Sequence, residues 1–155
     1  MKIITHGLYN LSDDYFRQFK SEYLPDNKQE KRPYYYAFVD KDDIIWLIPL
    51  SSQTESYQEK IKRDEARQKD GRCLFYHIGK IAGVDRVFLI GNMFPVSEEY
   101  ITKEYTIAGS HYIIGNEQLI RNVRSRAMRY LSLVRDGKLK PNIDIYKIKN
   151  ELITP

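Results

Sequence analysis

The sequence predicts a small α+β fold, a strongly bent antiparallel sheet with helices packed outside it, and three observations carry that reading. Two apolar runs, residues 34–39 and 44–50, are rich in aromatic and β-branched residues and are joined by the short acidic segment Asp40-Lys41-Asp42-Asp43, the pattern of neighbouring antiparallel strands. A second apolar pair, residues 73–78 and 87–90 with a continuation to Val96, brackets a connection over 79–86. From Asn116 to Arg135, Leu119, Ile120, Val123, Ala127, Tyr130, Leu131 and Val134 recur at helical spacing, the mark of an amphipathic helix.

In chain order, residues 2–5 form a short apolar strand candidate. Ser12 then precedes Asp13 and Asp14 as a helix cap, with Tyr15, Phe16, Phe19 and Tyr23 following at helical spacing toward a core. Residues 25–33 are polar and turn-rich, an exposed loop that brings Lys31 and Arg32 to the entrance of the first hairpin strand. Pro49 cannot donate to a ladder and is expected to end the second strand or lie on an edge, leaving Ser51 and Ser52 outside the sheet with free hydroxyls. Ser52-Gln53-Thr54-Glu55 fits a capping box, and the helix N-terminus behind it could also hold phosphate. The charged segment 55–70 reads as a solvent-facing helix or arm anchored by Tyr57 and Ile61, ended by Gly71. Ser97-Glu98-Glu99 is another helix start, and the stretch from 98 to 115 stays open between strand and helix. Gly137 stops the long helix.

At 155 residues the chain is most simply one domain, residues 1–155, large enough to bury about two-thirds of its unfolded surface. A formal charge of +4 favours a polyanionic partner. Thirteen Tyr stand against six Phe and one Trp; packing is the expected role for most of them, base stacking the alternative. The single Cys73 cannot form an internal disulfide, and three separated histidines lack ligand spacing. A cytoplasmic protein without metal or cofactor, neither secreted nor membrane-inserted, is therefore expected.

The functional candidates lie around one sheet end and along the long helix. Arg121, Arg124, Arg126, Arg129 and Arg135 have no acid between them from Glu117 to Asp136, which reads either as a solvated face or as a surface for an RNA backbone. Gly-rich phosphate loops, nucleophile elbows and HExxH are absent. The Ser, Tyr, Lys, His and Arg side chains that remain suffice for metal-independent RNA cleavage, in which the ribose 2′-hydroxyl attacks the adjacent phosphorus and the enzyme supplies proton transfer and positive charge. Ser51 and Ser52 are candidates for the phosphate. His77, placed at a strand end before Gly79, is a candidate proton carrier, with a core or rim histidine as the other reading. Tyr57, Lys80 and Asn92 complete the candidate RNA contacts, although Asn92 could equally make a turn.

The motifs Arg32-Pro33-Tyr34, Ile48-Pro49-Leu50-Ser51-Ser52, Tyr57 with Lys60, and Phe88 through Val96, in that order and separation, resemble the toxins of type III toxin–antitoxin systems. Within that ToxN, AbiQ, TenpN and CptN group the spacing is most similar to CptN and TenpN, and the resemblance spans roughly residues 1–140. It implies a barrel-like fold related to the MazF and Kid toxins and metal-independent endoribonuclease activity on cellular or phage RNA. It also implies inhibition by a small repeat pseudoknot RNA, itself processed by the toxin, within a closed protein–RNA assembly. The Pro-Leu-Thr-Ser motif of the ToxN toxins falls on Pro49, Leu50, Ser51 and Ser52. Their lysine soon after it has no counterpart at Thr54 or Glu55, so Lys60 is the candidate cation. Their Pro-Lys segment falls near Pro33, where Tyr34 becomes a possible proton donor or stacking ring. A non-catalytic basic RNA-binding module is the alternative, and a protein-interaction domain with a merely solubilising charge is a second.

Overall fold

The computed structural model describes residues 1–154; Pro155, the last residue of the expected domain, lies outside the described residues. Seven strands form one antiparallel sheet: β1 (Leu8–Leu11), β2 (Tyr34–Val39), β3 (Ile45–Ser51), β4 (Tyr76–Ile81), β5 (Val84–Leu89), β6 (Phe94–Val96) and β7 (Ile101–Glu104). Their order is β4-β5-β3-β2-β1-β7, with β6 paired to β3. β4 and β7 end the path without pairing to each other, so the sheet stays open and the barrel alternative is corrected. A small hairpin, β8 (Thr106–Ile107) and β9 (Ser110–His111), stands apart from it. Four helices complete the described fold: α1 (Asp13–Gln18), α2 (Thr54–Arg67), α3 (Glu117–Arg135) and α4 (Ile145–Ile153). No described helix is long and apolar enough to cross a membrane.

β3 is the centre, buried along all seven residues. β2 pairs with one edge from Tyr34↔Pro49 to Val39↔Ile45. The other edge is shared, β6 taking Ile45 to Leu47 and β5 taking Leu50 and Ser51. Pro49 therefore sits inside the strand rather than at its end. Leu50 N donates toward Pro33 O on the β2 side, so by strand alternation the Pro49 nitrogen faces the interval between β6 and β5, where no ladder donor is needed.

Aromatic residues fill the core and keep their polar tips bonded. Tyr15 Oη donates to Pro95 O at 2.8 Å, Tyr130 Oη to Gly91 O at 3.2 Å, and Tyr9 Oη accepts from Ile4 N at 2.8 Å. This is how a buried phenol avoids an unpaired hydroxyl. A register shift between Tyr36 and Phe38 re-aims the end of β2, as bulges do.

Several expected elements move. Residues 2–5 form no strand, and β1 begins only at Leu8. Ser12 caps α1, but the helix stops at Gln18 and leaves Tyr23 47% exposed beyond it. The expected connection over 79–86 is instead strand, because β4 and β5 pair continuously to Ile81↔Val84. Ala82 and Gly83, both with positive φ (50° and 80°), make the two-residue turn, the geometry that matches strand twist. Residues 98–100 form a single 3-10 turn before β7, and α4 had no sequence expectation.

Helices cover β4 on both faces. Tyr76 meets Tyr57 of α2 with ring centroids 4.9 Å apart, whereas Gly79, of opposite parity, lies against Leu119 of α3. A Cβ on Gly79 would stand 2.4 Å from Leu119 Cδ1, and Leu119 is itself packed in the core. Gly79→Ala is accordingly expected to cost about 1–3 kcal/mol, measurable as a lower urea midpoint with an unchanged slope.

Candidate functional site

A cleft of about 340 Å³ opens at the carboxyl end of β3. Ser51, Ser52 and Gln53 form its floor where strand passes into helix, and Lys28, Lys31, Arg32 and Arg86 supply positive charge around it. Tyr57 and Tyr105 add two rings. Among the described residues the lining holds no carboxylate and no imidazole, so nothing within it neutralises the four cations.

The serine pair differs from the expected one. Ser51 is the last residue of β3 and only 9% exposed, and its Oγ accepts from Gln53 N at 3.2 Å rather than standing free. Ser52 is exposed, but the capping box does not form: α2 starts after Gln53 without a side-chain cap. Thr54 N donates to Ser52 O at 2.9 Å, and Thr54, Glu55 and Ser56 of the first turn line an adjoining hollow rather than the cleft.

The basic wall is a locked loop. Asn27, 7% exposed, donates through Nδ2 to Leu11 O (3.0 Å) and Asp13 Oδ1 (2.8 Å) and accepts from Tyr34 Oη at 3.0 Å. Glu30 Oε2 accepts from Asp13 N at 2.7 Å, and Asn10 Nδ2 donates to Arg32 O at 3.1 Å. Between these anchors Lys28, Gln29 and Glu30 all have positive φ, 50°, 58° and 66°, a left-handed turn that costs roughly 1–2 kcal/mol per residue. Its geometry brings Lys28, Lys31 and Arg32 to one side of the cleft. Arg32 Nη1 donates to Asp26 O at 3.2 Å, while Arg32 Nε is the one buried side-chain nitrogen or oxygen among the described residues without a partner.

The cleft unites Ser51, Ser52, Lys31, Arg32 and Tyr57 and excludes the other candidates. Tyr34 is wholly buried, bonded to Asn27, and burial drives its phenol pKa far upward, so it is a core residue rather than a proton donor. His77 lies inside β4, not at its end. It pairs with Phe88, itself paired with Leu50, whereas Ser51 pairs with Val87, itself paired with Ile78; directly paired residues share a face, so His77 and Ser51 project to opposite sides of the sheet. Burial, with Arg126 nearby, lowers its pKa to about 4, and it is no carrier near neutrality.

Lys60 is outside the lining, its ammonium 4.6 Å from the Tyr57 ring centroid. Lys80 pairs with Asp85 at 3.1 Å, and Asn92 Nδ2 donates to Tyr23 O at 3.3 Å. The arginines of α3 are not one face: at 100° per residue, Arg124 and Arg126 lie about 160° apart, flanking the apolar stripe. Arg126 donates to Cys73 O and Asn122 O, Arg129 pairs with Asp70 at 2.7 Å, and Arg121 bonds Gln118 and approaches Glu117. The acid that pairs with Arg129 thus comes from a distant loop.

Asn27, Lys28, Gln53, Arg86 and Tyr105 were missed. The alternation in Val84-Asp85-Arg86-Val87-Phe88 is a strand signal that would have placed Arg86 on β5; Tyr105 lay in the stretch left open, and nothing local marks Asn27 as buried.

No protein-family model matches the sequence, and a comparison with curated proteins returns no match. Among solved structures, AbiQ, a lactococcal anti-phage endoribonuclease belonging to a type III toxin–antitoxin system, superposes with a TM-score of 0.66 at 17% identity, covering 96% of each chain. A chain from a bacterial antiviral system regulated by a processed non-coding RNA gives 0.66 at 14% identity over 94% of this chain and 96% of that one. The likeness is one of fold. It covers the same α+β body that places the cleft at the end of β3.

Asn27→Ala removes a hub and leaves the buried Tyr34 hydroxyl unpaired, an expected loss of about 1–3 kcal/mol, with faster amide exchange at residues 28–32 as the local signature. His77 titrates near 6.5 unfolded and near 4 folded, so between those values the unfolded chain binds more protons and stability falls as pH drops. Urea melts at pH 7 and 5 should show a smaller loss for His77→Gln than for the unmodified chain.

Proposed function

We propose that this protein is an endoribonuclease toxin of a type III toxin–antitoxin system, acting in the cytoplasm on cellular or phage RNA. The observation that carries the reading is the cleft: four cations and two serines around the uncapped start of α2, with an unpartnered Arg32 Nε, on a fold similar to that of an anti-phage endoribonuclease. The order and spacing of the sequence motifs favour the CptN and TenpN branch. A small repeat pseudoknot RNA is the proposed antitoxin, processed by the protein and held with it in a closed assembly.

The proposed chemistry needs no metal. A phosphodiester seats in the cleft between the Ser52 hydroxyl and Arg32. The 2′-oxygen attacks phosphorus as the P–O5′ bond breaks, giving a 2′,3′-cyclic phosphate and a 5′-hydroxyl; the 2′-hydroxyl loses its proton to solvent and the departing oxygen gains one from a phenol of the cleft, Tyr57 or Tyr105. Ser51, holding the Gln53 N–H, fixes the strand-to-helix corner. Arg86, Lys28 and Lys31 stabilise the charge that builds on the phosphorane, and Lys60 adds positive charge behind Tyr57.

Purified protein incubated with single-stranded RNA in EDTA is expected to yield fragments ending in 2′,3′-cyclic phosphate, identified by mass. Ser51→Ala with Ser52→Ala should slow cleavage about 10²-fold or more, Arg32→Ala and Arg86→Ala each about 10–10²-fold, and His77→Gln should leave the rate unchanged. RNA bound but intact would make the protein a binding module, and a double-alanine variant at full rate would move the catalytic centre elsewhere.

A further inference from the structure

At the other end of the β2–β3 hairpin lies a second groove, about 480 Å³, that the cleavage chemistry does not use. From Ser51 back to Trp46 is five residues of strand, roughly 17 Å, so the two sites occupy opposite ends of β3. Trp46 forms its floor, stacked on Phe38 (centroids 6.1 Å, planes 14° apart) and touched by Tyr146 of α4 at 6.0 Å. Phe38 and Tyr146 are half-buried, so each presents part of a ring. Two of the large apolar side chains that the fold leaves exposed, Val39 at 46% and Met128 at 37%, line the same groove.

The unpaired charge in its lining has one sign. Lys149 Nζ satisfies Asp40 and Asp42 at 3.0 and 2.8 Å, and Trp46 Nε1 donates to Asp40 Oδ2 at 2.9 Å, so Asp40, the one acid of the lining among the described residues, is engaged within the fold. Lys41, Arg124 and Arg135, all exposed, make no ion pair among the described residues. Rings and aliphatic side chains flanked by unpaired cations are complementary to nucleotides whose bases are unstacked and whose phosphates lie alongside. An acidic protein segment would use the cations but not the rings.

We propose that this groove between the β2–β3 turn, α3 and α4 is a second RNA-contact surface, seating unpaired nucleotides of an RNA whose phosphodiester also engages the cleft. It rests on the endoribonuclease reading for the identity of the polyanion, and its test separates the two. Trp46 is the chain's only tryptophan, so its emission reports this groove and not the cleft. Emission is followed while single-stranded RNA of about six nucleotides, enough for one site, or about twenty is added to the Ser51→Ala/Ser52→Ala protein.

The longer RNA is expected to shift Trp46 emission. Arg124→Glu with Arg135→Glu should weaken its binding at least tenfold and reduce the salt slope by roughly 1.4, two single-strand phosphate contacts. In otherwise unmodified protein the same pair should leave cleavage of the short RNA unchanged. Met128→Glu, an exposed single change, serves as the second variant if the double one does not fold, as judged by its Trp46 emission without RNA. Cleavage with no emission change, and long-RNA affinity indifferent to the arginines, overturns the groove alone. An emission change without cleavage by the unmodified serines overturns the endoribonuclease reading alone. A shift produced by polyglutamate but not by RNA makes the groove an acidic-protein site and also overturns the proposal.

Discussion

A strand buried along every residue must have both of its edges satisfied, and β3 meets that demand in an unusual way. One edge belongs to β2 from Ile45 to Pro49, while the other passes from β6 to β5 midway. Pro49 falls at the handover, where its missing donor costs nothing. The consequence is that the strand's last residue, Ser51, is held by β5 on one side and by the turn into α2 on the other. A catalytic hydroxyl or phosphate site at such a corner inherits the rigidity of the core.

The opposite wall of the cleft gains its rigidity by different means. Residues 27–32 carry no regular structure, yet Asn27, Glu30 and Asn10 tie the loop to β1 and α1. Three successive left-handed residues persist there because the surrounding bonds over-determine the backbone. Cations on a tethered loop lose little further freedom when a phosphate arrives, which favours binding. Flexible lysines on an untied loop would have to be ordered first.

Charge alone was a poor guide to the basic cleft. The arginines of α3 form an uninterrupted basic row in the sequence, but helix geometry divides them between two flanks, and Asp70 and the Cys73 carbonyl engage one flank. The cleft draws its charge instead from two segments remote in sequence, the 25–33 loop and β5. Likewise His77 is near Ser51 by strand order, yet strand parity sends it to the other face, where burial keeps it neutral at pH 7.

The sequence by itself determined the central hairpin, the long helix and the Ser12 cap of α1, because those features are written in local periodicity and capping chemistry. It also marked Lys31, Arg32 and Tyr57. Only the tertiary structure decided which side chains share the cleft. Buried Asn27 and Tyr105 owe their positions to bonds with Asp13 and Leu8, remote in the chain, whereas Arg86 lies on a strand that a local alternation marks. The burial of Tyr34 and the partial burial of His77 depend on what packs over each residue and not on its neighbours in the chain.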